Sequence, residues 1–110
     1  MEGPALIVDE RRPFAGILFL VPLAQDVLEL VYGVLPSERG RGIATRATRL
    51  AAEWALSDGQ CNRVELRIGE SNVASRRVAE RAGFRFAERF ETFVRGTGKT
   101  HVDLLYIRTR

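Results

Sequence analysis

Between Val34 and Ala44 the chain leaves an apolar run, passes through Leu35-Pro36-Ser37-Glu38 and reaches Arg39-Gly40-Arg41-Gly42-Ile43-Ala44. A segment of small residues with helical periodicity follows. A helix N-terminus presents unpaired backbone N–H groups and partial positive charge. Glycines clear side chains away so that a phosphate can reach those groups, and Arg39 and Arg41 add full charges beside them. The chemistry this junction suits is anion binding on Arg39 to Ala44. The alternative is a tight strand-to-helix turn whose glycines serve only a positive φ. It is not a Walker A loop, because no Lys-Ser/Thr pair follows the glycines. A second segment, Gly96-Thr97-Gly98-Lys99-Thr100, ends like one. There the first glycine of the motif would fall at Phe93 and no helix follows, so this is a hairpin turn.

Other chemistries are poorly provided for. Cys61 is the single cysteine and His101 the single histidine, too few to close a tetrahedral zinc site, and no metal is expected. A Cys61–His101 nucleophilic pair has no activating pattern around it. One cysteine makes no intrachain disulfide, so nothing requires an oxidising compartment, and the cytoplasm is the expected location.

The 110 residues suit one domain, 1–110. An apolar share of 45% supplies one core, and a charged share of 28% supplies an ordinary surface, which excludes a disordered tail or a disulfide scaffold. Net charge is +3, and Lys99 is the one lysine among 17 basic residues. Arginine favours planar contact with phosphate or carboxylate, although codon bias explains the preference equally well. Arg11-Arg12 before the apolar stretch Pro13 to Ala24 imitates a signal peptide. Asp9, Glu10 and Pro22 spoil the imitation, and the stretch is shorter than the ~18 apolar residues of a spanning helix.

The elements that must position the junction follow from periodicity. Ala5 to Val8, Phe14 to Val21 and Val27 to Leu35 are three apolar runs with turn-like separators, the second broken at Pro22 with Gln25-Asp26. They predict an antiparallel meander. A helix is expected over 42–56, with Ile43, Ala47, Leu50 and Trp54 at helical spacing and Gly59 as its C-terminal cap. Arg63 to Ile68 alternates as a half-buried strand. Asn72 is a natural N-cap for a second helix that ends before Gly83 and buries Val73, Ala74, Val78 and Ala82. Two strands, Phe84–Val94 and His101–Ile107, close the chain around the Gly96–Lys99 hairpin. The order is β-β-β-α-β-α-β-β, an α/β mixed sheet. Tyr32 and Trp54 fall at periodic positions and read as core.

Two stretches then carry a resemblance. Leu35 to Ala44 is similar to the acetyl-CoA signature Arg/Gln-x-x-Gly-x-Gly/Ala of the GCN5-related N-acetyltransferases (GNAT), matched by Arg39, Gly42 and Ala44. Asn72 to Phe84 resembles the family's second CoA-binding segment. Its Asn-x-x-Ser form is most like the branch with ribosomal-protein N-terminal acetyltransferases. The resemblance spans about 5–107. It implies acetyl-CoA as donor, an amine as acceptor, and a V-shaped opening between the third run and the Arg63–Ile68 strand. The pantetheine arm would pair with backbone near Val34, whose N–H would polarise the acetyl carbonyl. The pyrophosphate would rest on the amides of Arg39, Gly40, Arg41, Gly42, Ile43 and Ala44.

The resemblance also suggests proton carriers. Glu29 matches a carboxylate of many relatives and would take the amine proton, directly or through water; otherwise it is a solvated strand residue. Many relatives carry a tyrosine four residues before the glycine that ends the second helix, and that position here is Ala79. Ser75 would protonate the thiolate instead, or merely cap the helix. Asn72 would bond the pantetheine or cap the same helix.

Relatives begin with a strand and two helices ahead of the first run seen here, and those helices wall the acceptor pocket. The chain starts at Met1, close to Ala5, so the expectation is that this wall is missing. Ala5 to Val8 would then be an apolar edge strand, beside a Phe14–Leu20 strand with few charges, and the expected remedy is a homodimer. An N-acetyltransferase is the leading reading. A CoA-binding module with little turnover is the alternative. A nucleic-acid binder using Arg76, Arg77, Arg81, Arg85 and Arg89 is disfavoured, because no aromatics or reading motif accompany them.

Overall fold

The computed structural model describes residues 3–9, 12–34, 42–57 and 61–110. Along the chain these form β1 (Gly3–Asp9), β2 (Arg12–Ala24), β3 (Val27–Val34), α1 (Ile43–Ser57), β4 (Arg63–Gly69), α2 (Val73–Arg81), β5 (Arg85–Val94) and β6 (Lys99–Thr109). The expected order of elements is therefore present. The six strands make one sheet in the order β1-β2-β3-β4-β6-β5.

Local chemistry explains the turns. Asp26 closes the β2–β3 hairpin at φ 64°, a left-handed conformation that aspartate tolerates better than most residues. Its carbonyl accepts from the N–H of Asn62 at 2.8 Å and of Arg63 at 3.2 Å, which ties the start of β4 to the start of β3. Gly83 stops α2 at φ 91°, and Gly96 and Gly98 turn the β5–β6 hairpin at φ 83° and 68°. The expected cap at Gly59 lies outside the described residues.

The second run does not stop at Pro22. β2 continues to Ala24, with a bulge between Pro22 and Ala24. Pro22 lies past Gly3↔Leu20, the last β1–β2 pair at that end among the described residues, so its missing N–H costs no bond to the described part of β1.

β3 and β4 are the one parallel pair among the described strands, joined through the α1 crossover. They pair only at Val27↔Arg63, Leu28↔Val64 and Glu29↔Glu65. Beyond that rung they part. β3 stays laddered to β2 as far as Gly16↔Val34, and β4 to β6 as far as Gly69↔Asp103. The sheet is thus split from Glu29 and Glu65 onward, between two halves each held by a full antiparallel ladder.

Both helices cover one face. Leu18 and Leu20 of β2, Leu28 and Leu30 of β3, Val64, Leu66 and Ile68 of β4, and Leu104 and Tyr106 of β6 point into a core with Ala52, Ala55 and Leu56 of α1 and Ala79 of α2. Alanines let the helices approach the sheet closely; of the expected α1 stripe, Ile43 is buried and Ala47 and Trp54 pack against the core, while Leu50 does not. Leu50 is 67% exposed, because it stands about 200° around the helix from Thr48 and Ala52. In α2, Val73 is 53% exposed and Ala74 is exposed, while Ala79 and the cap residue Ala82 are buried.

Thr48 is fully buried with no hydrogen-bond partner for its hydroxyl among the described residues. An unmet buried hydroxyl costs on the order of 1–3 kcal/mol. Thr48→Val is expected to raise stability by about 1 kcal/mol, or Tm by ~4–8 °C, in a thermal melt. A fall in Tm would show that the hydroxyl has a partner worth keeping.

Candidate active site

The split in the sheet makes a cleft of about 210 Å³, walled by Glu29 to Tyr32 of β3, Leu66 to Gly69 of β4, and Asn72 and Ser75 at the start of α2. Past Glu29, the β3 backbone groups on this side have no strand partner among the described residues, and neither do those of β4 past Glu65 on the side facing β3. Backbone N–H and C=O groups away from bulk water require a partner, so the cleft offers two strand edges to an extended, amide-bearing ligand.

Register shows which side chains meet on each face. Tyr32 stands opposite Leu18, and Leu30 opposite Leu20, on the face that the helices cover. Glu29 stands opposite Val21, and Val31 opposite Phe19, on the other face. That face is open: Phe19 is 37%, Val21 38% and Val31 46% exposed. The cleft therefore passes through the sheet, with Glu29 on the open side and Tyr32 and Ser75 on the helix side. Glu29 neighbours Glu65 on the last shared rung, and Glu65 is bound by Arg63 at 2.9 Å.

The α2 end of the cleft is tightly organised. Asn72 Oδ1 accepts from the Ser75 N–H at 3.1 Å and so is the N-cap. Ser75 does not cap the helix through its hydroxyl. Its Oγ instead accepts from the Tyr32 Oη at 3.2 Å, across the cleft from β3. Tyr32 is therefore a cleft residue as much as a core one, half-buried rather than sealed. Burial pushes its phenol above the ordinary value, more strongly than the Ser75 hydrogen bond lowers it. The loop before α2 is held from two sides. Arg76 donates to the Glu70 carbonyl at 3.2 Å and to Tyr106 Oη at 3.4 Å. Arg89 donates to Glu70 Oε2 at 2.9 Å, and that contact lowers the Glu70 carboxyl below the usual range. Two of the five arginines considered for nucleic acid, Arg76 and Arg89, thus have internal partners.

At the other candidate segment, Gly42 takes φ 74°, a conformation that favours glycine, and its carbonyl accepts from Arg46 N–H at 3.0 Å to begin α1. The first-turn amides, from Ile43 and Ala44, have no backbone acceptor among the described residues, and no acidic side chain occupies that turn. The Ile43 side chain is buried in the core, so its amide is what it offers a ligand. Val34 ends β3. Arg39, Gly40 and Arg41 lie outside the described residues.

Cys61 and His101 do not meet. Cys61 is buried beside the start of β4 and donates to the Ala55 carbonyl at 3.7 Å, with burial pushing its thiol up. His101 sits at the opposite end of β6, 2.9 Å from Asp103. Among the described residues no group of three or more metal-ligating side chains forms, and no helix is long and apolar enough to cross a membrane.

Sequence reasoning missed Tyr32. Its parity with Leu28 and Leu30 marks it as inward-facing, but whether inward means core or cleft depends on where β4 leaves β3.

Known proteins share this architecture. The acetyltransferase (GNAT family) of Bacillus anthracis is 16% identical with a TM-score of 0.83, covering 94% of this chain and 63% of its own. Ribosomal-protein-S5-alanine acetyltransferase of Vibrio fischeri is 16% identical with a TM-score of 0.78, covering 90% of this chain and 56% of its own. RimJ of Mycobacterium smegmatis, in complex with CoA-disulfide, is 26% identical with a TM-score of 0.77, covering 90% and 49%. This chain thus spans about half to just under two thirds of these solved chains. A search of curated protein sequences finds no match. The profile of one family, the acetyltransferase (GNAT) domain, matches residues 2–85. With its split β3–β4 pair and glycine-led α1, the chain belongs to the GNAT acetyltransferase family.

Proposed function

We propose that the chain is an N-acetyltransferase that moves an acetyl group from acetyl-CoA to a primary amine by direct attack in a ternary complex. One observation carries the reading: a cleft through the sheet with a carboxylate on one face and two hydroxyls on the other. GNAT acetyltransferases use acetyl-CoA as donor, and the solved structures similar to this chain include the microcin C7 self-immunity acetyltransferase MccE in complex with acetyl-CoA and AMP. The unpaired β3 edge up to Val34 suits the amides of the pantetheine arm. The first-turn amides of α1, from Gly42 to Ala44, suit the pyrophosphate, with Arg39, Gly40 and Arg41 completing the anion site.

The roles of the side chains follow from their faces. The amine arrives on the open face, where Glu29 takes its proton as nitrogen bonds to the acetyl carbon. The Val34 N–H steadies the carbonyl oxygen as negative charge builds there. The carbon–sulfur bond breaks, and Ser75, on the helix face, gives the departing sulfur a proton. Asn72 fixes Ser75 through the helix cap. The two proton transfers thus occur on opposite sides of the sheet and do not compete.

The acceptor is a protein N-terminus or a small-molecule amine. Solved structures similar to this chain include both an S5-alanine and a spermidine acetyltransferase, and each acceptor stays with its own protein. Turnover of a panel of peptide N-termini and small amines, followed by release of CoA thiol, tests the reading. Cys61 is buried, so the native protein adds little thiol background.

A second reading, a CoA-binding module with little turnover, is favoured by the open face, where Phe19, Val21 and Val31 lie uncovered on the acceptor side. In our reading a second copy of the chain covers that face as a two-fold homodimer, in the cytoplasm, and β1 at the sheet edge is free to join the contact. Sedimentation at micromolar concentration is expected to give a dimer. Phe19→Asp should release monomers with an unchanged far-UV spectrum. A wild-type monomer that turns over would remove the partner from the account.

A further inference from the structure

We infer that Tyr32 is a positioning residue that aims the Ser75 hydroxyl into the cleft and restores its proton during turnover. The inference rests on the acetyl-transfer reading and adds a residue to it.

Two hydroxyls that share one hydrogen bond leave one proton unused. Here Tyr32 Oη donates and Ser75 Oγ accepts, at 3.2 Å. The unused proton is therefore that of Ser75. Capping is not the task of the Ser75 hydroxyl, because Asn72 supplies the helix cap and takes the Ser75 N–H. Among the described residues nothing accepts the Ser75 O–H. Both side chains line the cleft, so that proton is available to a group bound there.

Three features suit Tyr32 to this part. It projects from β3 and not from α2, so it reaches Ser75 from the far wall and fixes the hydroxyl against rotation. Its ring is packed beside the core opposite Leu18. Its phenol is held above the ordinary value by burial, so it stays protonated and able to donate through the neutral range. Nothing else along this face of α2 fills the role, since Ala79, one turn on, is fully buried and carries no exchangeable side-chain proton.

The carbon–sulfur bond breaks and its electron pair stays on sulfur. The Ser75 O–H bond breaks as the S–H bond forms. The Tyr32 O–H bond breaks as a new Ser75 O–H bond forms. Tyr32 is left as a phenolate and recovers a proton from water, matching the proton that the amine delivers to solvent through Glu29.

The test compares wild type, Tyr32→Phe, Ser75→Ala and the double variant with acetyl-CoA and an amine that the wild type accepts. Phenylalanine keeps the ring and removes only the donor. Tyr32→Phe is expected to lower kcat by about 10²-fold, in the range of a lost proton-transfer group, with the acetyl-CoA KM and the calorimetric CoA affinity unchanged. The double variant should be no slower than Ser75→Ala, because the two hydroxyls act in series. Full kcat in Tyr32→Phe, losses that multiply in the double variant, or equal losses in kcat and CoA affinity would each overturn the inference while the transferase reading stands. A wild type without turnover on any amine would overturn both.

Discussion

Glu29→Gln is expected to lower kcat by about 10²-fold or more at neutral pH with coenzyme affinity almost unchanged. The substitution keeps the size and hydrogen-bonding reach of the side chain and removes its ability to hold a proton. Glu29 stands on the open face at the last rung where β3 and β4 pair, so it is beside the cleft without being under the helix-side hydroxyls. Its neighbour Glu65 is a poor substitute, because Arg63 binds that carboxylate at 2.9 Å. The deficit should shrink as pH rises and more of the amine arrives already neutral. Steady-state kinetics across pH, paired with calorimetry for CoA, separates the role from a structural one. Full activity in the variant would return Glu29 to an ordinary strand position.

The second large effect is expected at the start of α1. Gly42→Val should weaken CoA binding by at least about 10-fold, on two grounds. The residue sits at φ 74°, and a β-branched side chain there is strained by on the order of 1–3 kcal/mol. The new side chain also stands beside first-turn amides that glycine leaves open. Gly42→Ala divides these contributions, since its Cβ would meet the Arg46 Nη1 at 3.5 Å, an ordinary contact, and carries the backbone strain with little added bulk. Both variants are expected to lose stability in a melt, and the valine variant to lose more CoA affinity. A folded valine variant with wild-type affinity would remove the anion site.

Much of this fold is legible from local pattern. The alternation over Arg63 to Ile68 does place Val64, Leu66 and Ile68 inward. Asn72 caps and Gly83 stops, as their types require. What local pattern does not carry is phase and long-range spacing. Apolar period alone places Leu50 and Val73 inward, yet the faces turned to the sheet are those of Ile43, Thr48, Ala52, Ala55 and Leu56 in α1 and of Ala79 in α2. Pro22 looked like a strand end, but a proline beyond the neighbouring strand is harmless. The site divides in the same way. Gly42 and Asn72 announce themselves by type and spacing. The partnership of Tyr32 with Ser75 joins residues 43 positions apart, and only the split of β3 from β4 brings them together.

The central claim is that a cleft through the sheet holds acetyl-CoA and passes its acetyl group to an amine on the open face. The most direct measurement incubates the purified chain with acetyl-CoA and a mixed set of peptide N-termini, polyamines and amino sugars. Mass spectrometry then follows each amine while CoA thiol is counted. The expected result is an acetylated amine whose amount matches the thiol released, with both lost in Glu29→Gln. Thiol release with no acetylated amine, or CoA binding without either, would contradict it.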